Sequence, residues 1–203
     1  MSLSELWSLY GQNYIDALLA TWGMTLESFA IAMVLAVAVT VMRVSPLKPL
    51  RVFGDLYVQV FRNIPGIALL IIVVYALPPL KVVLPYRTCV IVATVLLGSA
   101  FGSENFMSGI NTVGVGQVEA ARSLGMSFSR ILAKIVIPQA LRSSVLPMTN
   151  LFIAVMLTTA LGSQVPLKPQ ELTGVVSYIN TRSLGGVAAF FISRSATWAL
   201  PLW

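Results

Sequence analysis

The run SFAIAMVLAVAVTVM, at residues 28–42, contains no charged side chain and decides the class of fold. Three further charge-free runs follow it, at residues 63–80, 88–103 and 143–167. A helix needs about 20 apolar residues to cross a bilayer core, so the runs at 28–42 and 88–103 must borrow flanking residues. A fifth candidate span at about 184–203 is poorer because Arg194 falls near its middle. These runs predict an all-α polytopic membrane protein with about five transmembrane helices.

The composition agrees with a membrane protein and argues against an enzyme. Charged residues make up 10% of the chain and the mean hydropathy is +0.87, whereas about 25% charged residues is usual for a soluble domain. The chain has no histidine and one cysteine, Cys89, so we expect no internal disulfide, no metal site and no Ser/His or Cys/His nucleophile pair. It also lacks a G-x-x-x-x-G-K-[ST] loop, so energy from ATP would have to arrive from another subunit.

The distribution of lysine and arginine predicts the orientation in the membrane. With the N-terminus outside, the inner segments hold eight basic residues: Arg43, Lys48, Arg51, Arg62, Arg122, Arg130, Lys134 and Arg142. The outer segments then hold four: Lys81, Arg87, Lys168 and Arg182. The inner excess favours this orientation, and five crossings then put the C-terminus inside. The first 22 residues carry two acids and no base, so they are not predicted to be a cleaved signal peptide.

The segment 107–142 lies in the cytoplasm in this topology, and it is predicted to be helical rather than a loose loop. Val118, Ala121 and Leu124 fall on one side of a first short helix. Gly125 follows, and glycine can end a helix in the left-handed conformation without a steric penalty.

A second short helix follows the glycine, with apolar residues at i, i+3, i+4, i+7 and i+8: Phe128, Ile131, Leu132, Ile135 and Val136. Arg130 and Lys134 lie on its other side. Ser127 is predicted to cap this helix, and Pro138 to bend or stop it. Two roles fit this pattern equally: a helix that lies on lipid, and a helix that docks into a groove of a cytoplasmic partner.

The residues of this segment resemble a known family signature. The letters EAA at 119–121, three residues, Gly125, nine residues and IVIP at 135–138 resemble the EAA loop of ABC importer permeases. That signature is EAA, x3, G, x9, I-x-L-P, and Ile137 in place of leucine is the departure. In that family the loop is the coupling helix that seats in a cleft of the ATPase subunit. The resemblance implies that Glu119, Ala120, Ala121 and Gly125 are the ATPase-coupling residues.

The resemblance covers roughly residues 18–191 and favours the polar amino-acid branch of the family, of the glutamate, glutamine and histidine type. The stretch VFRNIP at 60–65 resembles the VFRGTP segment of these permeases, and the stretch from Glu104 resembles AEIxRxGI with Met107 in place of arginine. Leu157 stands where a K-x-T-S-L segment has lysine. Candidate residues for the pathway, or for a structural role, are Arg62, Glu104 and Asn150.

The resemblance implies a type I importer permease, a single transmembrane domain over residues 1–203, in a bacterial cell membrane. Its implied partners are an ABC ATPase that binds ATP and Mg²⁺, a second permease that is identical or a sister chain, an extracytoplasmic substrate-binding protein, and lipid; no nucleic acid is expected. The family ends in a full apolar span and a basic tail, whereas this chain ends in SRSATWALPLW, so we expect a truncation or frame change after about Ile192.

An ATP-independent channel or secondary transporter is the alternative function. Such a protein would need coupling acids or a selectivity filter within its spans, and Glu104 is the acid nearest to one. A simple membrane anchor whose loop lies on lipid is a further alternative. Uptake after depletion of ATP separates the first of these from an ATP-driven importer, and co-purification of an ATPase separates the second.

Overall fold

The structure is a computed structural model that describes residues 3–182, with side chains from Glu5 onward. In this part of the chain there are nine α-helices and no strand. The helices are α1 (Leu3–Val44), α2 (Lys48–Asn63), α3 (Gly66–Ile71), α4 (Tyr86–Asn111), α5 (Val115–Ser123), α6 (Phe128–Ile131), α7 (Ile137–Ser143), α8 (Val145–Thr158) and α9 (Leu172–Arg182). Two π-helical turns and two 3₁₀ turns extend them, at Ile72–Ala76, Leu132–Val136, Pro78–Leu80 and Thr159–Gln164.

Three helices in the described residues are long and apolar enough to cross a membrane: Glu5–Val44, Tyr86–Asn111 and Val145–Gln164. A fourth crossing exists if Lys48–Asn63 and Gly66–Leu80 form one broken span. The prediction of an all-α polytopic membrane protein is therefore confirmed. The candidate fifth span at 184–203, with its predicted change after Ile192, lies outside the described residues.

The predicted span at 63–80 begins at a break in the helical path, because the helices Lys48–Asn63 and Gly66–Leu80 are bent by 103° relative to each other. Helix α2 ends at Asn63, and Ile64 is extended, with φ −85° and ψ 126°. This break has a local cause, because the ring of Pro65 disfavours the helical conformation in the residue before it.

The described part of the chain divides into two compact units, and the first consists of residues 3–28, 66–94 and 155–182. Its core is apolar and joins α1 to α9 through Leu6, Tyr14, Ala17, Leu172, Val175 and Ile179. Where α1 and α4 meet in this unit, Nη2 of Arg87 lies 2.7 Å from Oε1 of Glu27. This pair is about half exposed, so it stabilises the unit only slightly.

Glu171 caps α9 within the same unit. Its carboxylate oxygens accept hydrogen bonds from the backbone N–H groups of Thr173 and Gly174, at 2.6 and 2.7 Å. The side chain is almost fully buried. Burial raises the pKa of Glu171 above its usual range, and the two backbone hydrogen bonds oppose this rise. The N-terminus of the helix thus holds a carboxyl group that favours its neutral form more than an exposed glutamate does.

The second unit consists of Phe29–Pro65 and Val95–Ala154, and it contains α2, α5, α6 and α7. Helices α1 and α8 meet in it at Phe29 and Phe152, whose rings pack edge to face with centroids 5.0 Å apart. A separate apolar cluster holds the short helices together, with Val113, Ala121, Ile131 and Val136 at its centre. The predicted single permease domain over residues 1–203 stays a prediction.

Candidate functional site

Helix α5 ends in a left-handed turn at Gly125, whose φ is +75°. The backbone N–H of Gly125 donates to the carbonyl of Arg122, and that of Met126 donates to the carbonyl of Ala121. These two bonds form a Schellman motif, which satisfies carbonyl groups left open at the end of the helix. The sequence prediction for this turn is confirmed in its geometry, because glycine alone adopts this conformation without strain from a Cβ atom.

The outer side of α5 forms an exposed surface. We call Val115, Glu119, Ala120 and Leu124 the α5 surface; Val115 is 70% exposed and Leu124 is 82% exposed. Helical spacing places the first three on one side of the helix, and Leu124 follows at its end. The surface combines apolar side chains with one carboxylate.

The inner side of α5 packs as predicted at Val118 and Ala121, but not at Leu124. Leu124 occupies the C-cap position, where the chain leaves the helical path, and its side chain therefore points away from the core. The predicted coupling residues accordingly divide into two groups. Glu119 and Ala120 are exposed, whereas Ala121 is buried and sets how closely α5 approaches the neighbouring helices.

The second short helix largely has the predicted faces. Ile131 and Val136 are buried, Leu132 and Ile135 are partly buried, and the basic side chains Arg130 and Lys134 are exposed. Phe128 belongs to the same stripe by its spacing, but at the first helical position it is 40% exposed. Ser127 occupies the N-cap position but its hydroxyl makes no capping hydrogen bond.

Pro138 does not stop the helix, and this corrects half of the prediction. The chain stays helical from α6 through the π-turn Leu132–Val136 into α7, where Pro138 lies in the first turn. The N–H of Ile137 bonds to the carbonyl of Leu132, five residues earlier. Proline lacks a backbone donor and its ring crowds the preceding turn, and the wider π-turn before it accommodates both effects.

A hydrogen-bonded contact at Gly109 joins α4 to the junction of α7 and α8. A Cβ atom at Gly109 would lie 2.3 Å from Oγ of Ser144 and 2.6 Å from the carbonyl oxygen of Ala140. The Ser144 hydroxyl donates to the carbonyl of Asn105 at 3.2 Å, and the Asn105 amide donates to the carbonyl of Pro147 at 3.1 Å. The end of the 107–142 segment is therefore fixed to the helix before it. Helix α4 continues to Asn111 and thus includes the first residues of that segment.

Arg43 lies at the centre of an ion-pair network in the second unit. Its Nε is 2.9 Å from Oδ1 of Asp55, its Nη2 is 2.9 Å from Oε1 of Glu104, and its Nη1 donates to Oγ of Ser103 at 3.2 Å. The Arg43 side chain is only 12% exposed. Three helices contribute to the network, α1 with Arg43, α2 with Asp55 and α4 with Ser103 and Glu104. A charged group in a membrane helix is costly unless it is paired in this way.

Arg62 adds a second, looser contact to the network. Its Nη1 lies 3.5 Å from Oε1 of Glu104, and its guanidinium carbon lies 5.3 Å from the centroid of the Phe101 ring. A cavity of about 390 Å³ opens beside these groups and is also lined by Val58, Gln59 and Asn63. Two of the three candidate pathway residues, Arg62 and Glu104, therefore meet. The third, Asn150, is exposed on α8 and does not line this cavity.

Arg43 and Asp55 were not among the predicted site residues. Both precede Arg62 in the part of the sequence that follows the first charge-free run. They could have been identified by asking which isolated charges on different membrane helices form ion pairs. The spacing of residues along one helix does not show which charges pair between helices. Within residues 3–182 no group of three or more His, Cys, Asp or Glu side chains is arranged to hold a metal ion.

Membrane-crossing helices, with a short exposed helix and a left-handed glycine turn between two of them, define the class of protein as a transporter membrane component. The chain belongs to the family of binding-protein-dependent transport system inner membrane components, whose sequence model matches residues 28–192. The resemblance to ABC importer permeases is thereby confirmed. The chain is a multi-pass component of a bacterial membrane that serves transport and is not itself an enzyme.

Curated relatives and solved structures agree with this family. The chain is 35% identical over 173 residues to the glutamate transport system permease protein GluC of Corynebacterium efficiens, covering 79% of this chain and 76% of the relative. It is 32% identical over 194 residues to the L-cystine transport system permease protein TcyB of Bacillus subtilis, covering 93% and 82%. A chain from the crystal structure of an amino acid ABC transporter with histidines matches with a TM-score of 0.88 at 24% identity, covering 98% of this chain and 92% of that chain. An inward-facing MetNI methionine ABC transporter matches with a TM-score of 0.71 at 20% identity, covering 98% and 94%.

Proposed function

We propose that this chain is the permease of an ATP-driven importer of polar amino acids and that the α5 surface docks onto its ATPase subunit. ATP and Mg²⁺ are bound by that subunit, and its closure pushes α5 and switches the permease between inward-facing and outward-facing states. Glu119 and Ala120 contact the ATPase in this proposal, Ala121 supports α5 from below, and Gly125 provides the turn. The N-terminus lies outside, and α5 to α7 lie in the cytoplasm.

One observation carries the docking proposal: α5 is packed on one side and exposes apolar side chains on the other. Val115 and Leu124 have little reason to be exposed on a surface that always faces water. The small side chain of Ala120 between them allows close approach of a second protein. The basic side chains Arg130 and Lys134 lie on the following helix, outside the α5 surface. Helix α5 itself carries one basic side chain, Arg122 in its last turn, so the co-purification experiment below separates docking from a lipid-bound helix.

The remaining partners follow from the family. A second permease chain, identical or a sister, would complete the translocation path, and an extracytoplasmic binding protein would deliver the substrate. The relatives named above transport glutamate and cystine according to their names, which supports an amino-acid substrate, with glutamate as the first candidate. The membrane-crossing helices α1, α4 and α8 would line the path together with their counterparts in the second chain.

Co-purification with the ATPase subunit tests the docking proposal directly. Ala120→Trp places a large side chain on the α5 surface, and we expect it to abolish co-purification of the ATPase from detergent extracts. Ala133→Trp is the matched control, because Ala133 is also exposed and lies on the second short helix outside the α5 surface. Equal amounts of ATPase with both variants would contradict the docking role of α5.

Uptake into proteoliposomes tests the energy source. The complete transporter with its binding protein is expected to accumulate labelled glutamate or glutamine only with ATP, and not with a non-hydrolysable analogue. Uptake of equal rate without ATP would favour the ATP-independent channel or secondary transporter. Glutamate and glutamine are compared in the same assay, because the names of the relatives support both a charged and an uncharged side chain.

A further inference from the structure

The cavity beside Arg62 has no part in ATPase docking and needs its own explanation. It measures about 390 Å³, which is within the usual range for small-molecule sites and larger than a small amino acid. Its polar lining consists of two arginines, two acids and two amides: Arg43, Arg62, Asp55, Glu104, Gln59 and Asn63. Charged side chains on membrane helices are energetically costly and usually serve a function. A purely structural role therefore does not account for four charges at this one place.

The two arginines of the cavity differ in how firmly they are held. Arg43 is 12% exposed, and its three guanidinium nitrogens each contact a partner at 2.9 to 3.2 Å. Arg62 is 42% exposed, and its ion-pair contact with Glu104 is 3.5 Å long. Arg43 therefore fixes the acids in place, whereas Arg62 can exchange its weak contact for a better one. A planar guanidinium binds a carboxylate best through two parallel hydrogen bonds.

We propose that this cavity binds the backbone of an α-amino acid, with the α-carboxylate on Arg62 and the α-ammonium on Glu104 and Asp55. The ligand separates Arg62 from Glu104 and replaces one long ion pair with two shorter ones. No covalent step is involved. The inference rests on the proposed function, since it assumes an amino acid as cargo, and it adds the groups of that cargo that the permease recognises.

Charge balance favours a zwitterion over other ligands. Two arginines and two acids sum to zero, so a zwitterion leaves the cavity neutral, whereas a simple anion or cation adds an unbalanced charge. Gln59 and Asn63 lie on the same helix as Arg62, one turn apart, and their amides accept or donate hydrogen bonds without adding charge. Recognition through backbone groups also predicts that the side chain of the ligand matters little at this site.

The test measures binding to the permease–ATPase complex in the absence of the binding protein. The complex is placed in nanodiscs of phosphatidylglycerol, because the headgroup of phosphatidylethanolamine carries an anion and an ammonium group and would compete. Ligand-observed saturation-transfer NMR then compares glycine, L-glutamine, N-acetylglycine and glycinamide. We expect glycine and L-glutamine to bind within about tenfold of each other. The two blocked analogues lose one charged contact each and should bind at least about tenfold more weakly.

Variants of α2 connect this binding to Arg62. Arg62→Met should weaken glycine binding at least about tenfold, and Arg62→Lys should weaken it less, because lysine keeps the charge but not the two-pronged geometry. Arg51→Met is the matched control: it removes the same charge from the same helix, and Arg51 does not line the cavity. Co-purification of the ATPase and an unchanged thermal midpoint show that the variants are folded.

Three results would overturn the proposal. These are no binding of glycine or L-glutamine to the wild-type complex, equal binding of glycine and N-acetylglycine, and equal loss in Arg62→Met and Arg51→Met. ATP-driven uptake by the same preparation, once the binding protein is added, keeps this outcome separate from the proposed function. If uptake occurs and binding does not, the importer assignment stands and the amino-acid site at Arg62 is wrong.

Discussion

The α5 surface and the cavity at Arg62 are the two candidate functional features of a very apolar chain, but they are built in opposite ways. The α5 surface comes from one short helix, and its side chains are exposed. The cavity comes from α1, α2 and α4, and its charges are paired with one another. In the proposed function, the exposed groups of α5 meet a partner subunit, whereas the paired charges of the cavity hold three helices together and leave the long contact of Arg62 for exchange.

The largest effect is expected from Gly125→Val, which changes the turn at the end of α5 and should reduce transport. Valine at φ +75° costs at least about 1–2 kcal/mol, because its Cβ collides with the backbone in the left-handed conformation. The turn would relax, α5 would change direction, and ATP-driven uptake should fall by at least about tenfold, within the usual range of coupling energies. Uptake and ATPase stimulation in proteoliposomes measure it. Gly114→Val is the control, since Gly114 has an ordinary φ of −60° and open space around it.

A second effect is expected from Arg43→Met, which removes the central cation of the cavity network and should lower stability. It leaves the carboxylates of Asp55 and Glu104 without their shortest cationic contact. Breaking a fully buried ion pair costs about 3–5 kcal/mol, and the partial exposure of the two acids brings the expected loss below that range, to about 1–2 kcal/mol. Thermal or denaturant unfolding in detergent measures this loss. A change indistinguishable from that of Arg51→Met would show that the network does not stabilise the helices.

Gly109→Ala tests the close contact that joins the 107–142 segment to α4. The added methyl would overlap Ser144 and the carbonyl of Ala140, and overpacking of this kind costs about 1–3 kcal/mol. Gly116→Ala is the opposite case, since it adds a methyl within α5 where nothing lies within 4 Å. That change should stabilise by about 0.4–1 kcal/mol. Melting temperatures that shift in the same direction for both variants would contradict the close contact at Gly109.

The smallest effect is expected at Glu171, which belongs to neither region and serves as a reference. Its pKa is raised by burial, so the folded protein binds this proton more tightly than the unfolded chain does. The stabilisation is fully present below the ordinary glutamate pKa of about 4.3 and is lost as pH rises through the higher folded value. Unfolding midpoints of wild type and Glu171→Gln between pH 4 and 7 measure this. The wild type should lose more stability than the variant as pH rises, and parallel curves would contradict the raised pKa.

The sequence predicts the local features of this protein well. Charge-free runs identify the helices that cross the membrane, and helical spacing with one glycine identifies α5, its left-handed turn and most of the inner face of the next helix. Leu124 was placed wrongly, because helix ends depart from the ideal path that a periodicity argument assumes. The π-turn before Pro138 was not predicted either. A proline in a helical sequence indicates altered helix geometry, but it does not show which form that alteration takes.

The sequence predicts features that depend on several helices less well. Arg62 and Glu104 are recognisable as isolated charges near apolar runs, but their meeting with Arg43 and Asp55 depends on how α1, α2 and α4 pack. The break at Ile64 lies between Arg62 and Glu104 in the chain. A continuous span at 63–80 would have placed Arg62 at a membrane boundary. Pairing partners that are 12 to 61 residues apart in the chain require the structure.

Labelling from the two sides of the membrane tests the central claim, that α5 faces the cytoplasm and meets the ATPase. Cys89 is first replaced by alanine, and Ala120→Cys and Val83→Cys are then reacted with a membrane-impermeant maleimide. Ala120→Cys should react only in inside-out vesicles and should be protected when the ATPase is bound. Val83→Cys, exposed in the predicted outer loop, should react in intact cells. Reaction of Ala120→Cys in intact cells would place α5 outside, beyond the reach of any cytoplasmic ATPase, and would contradict the account.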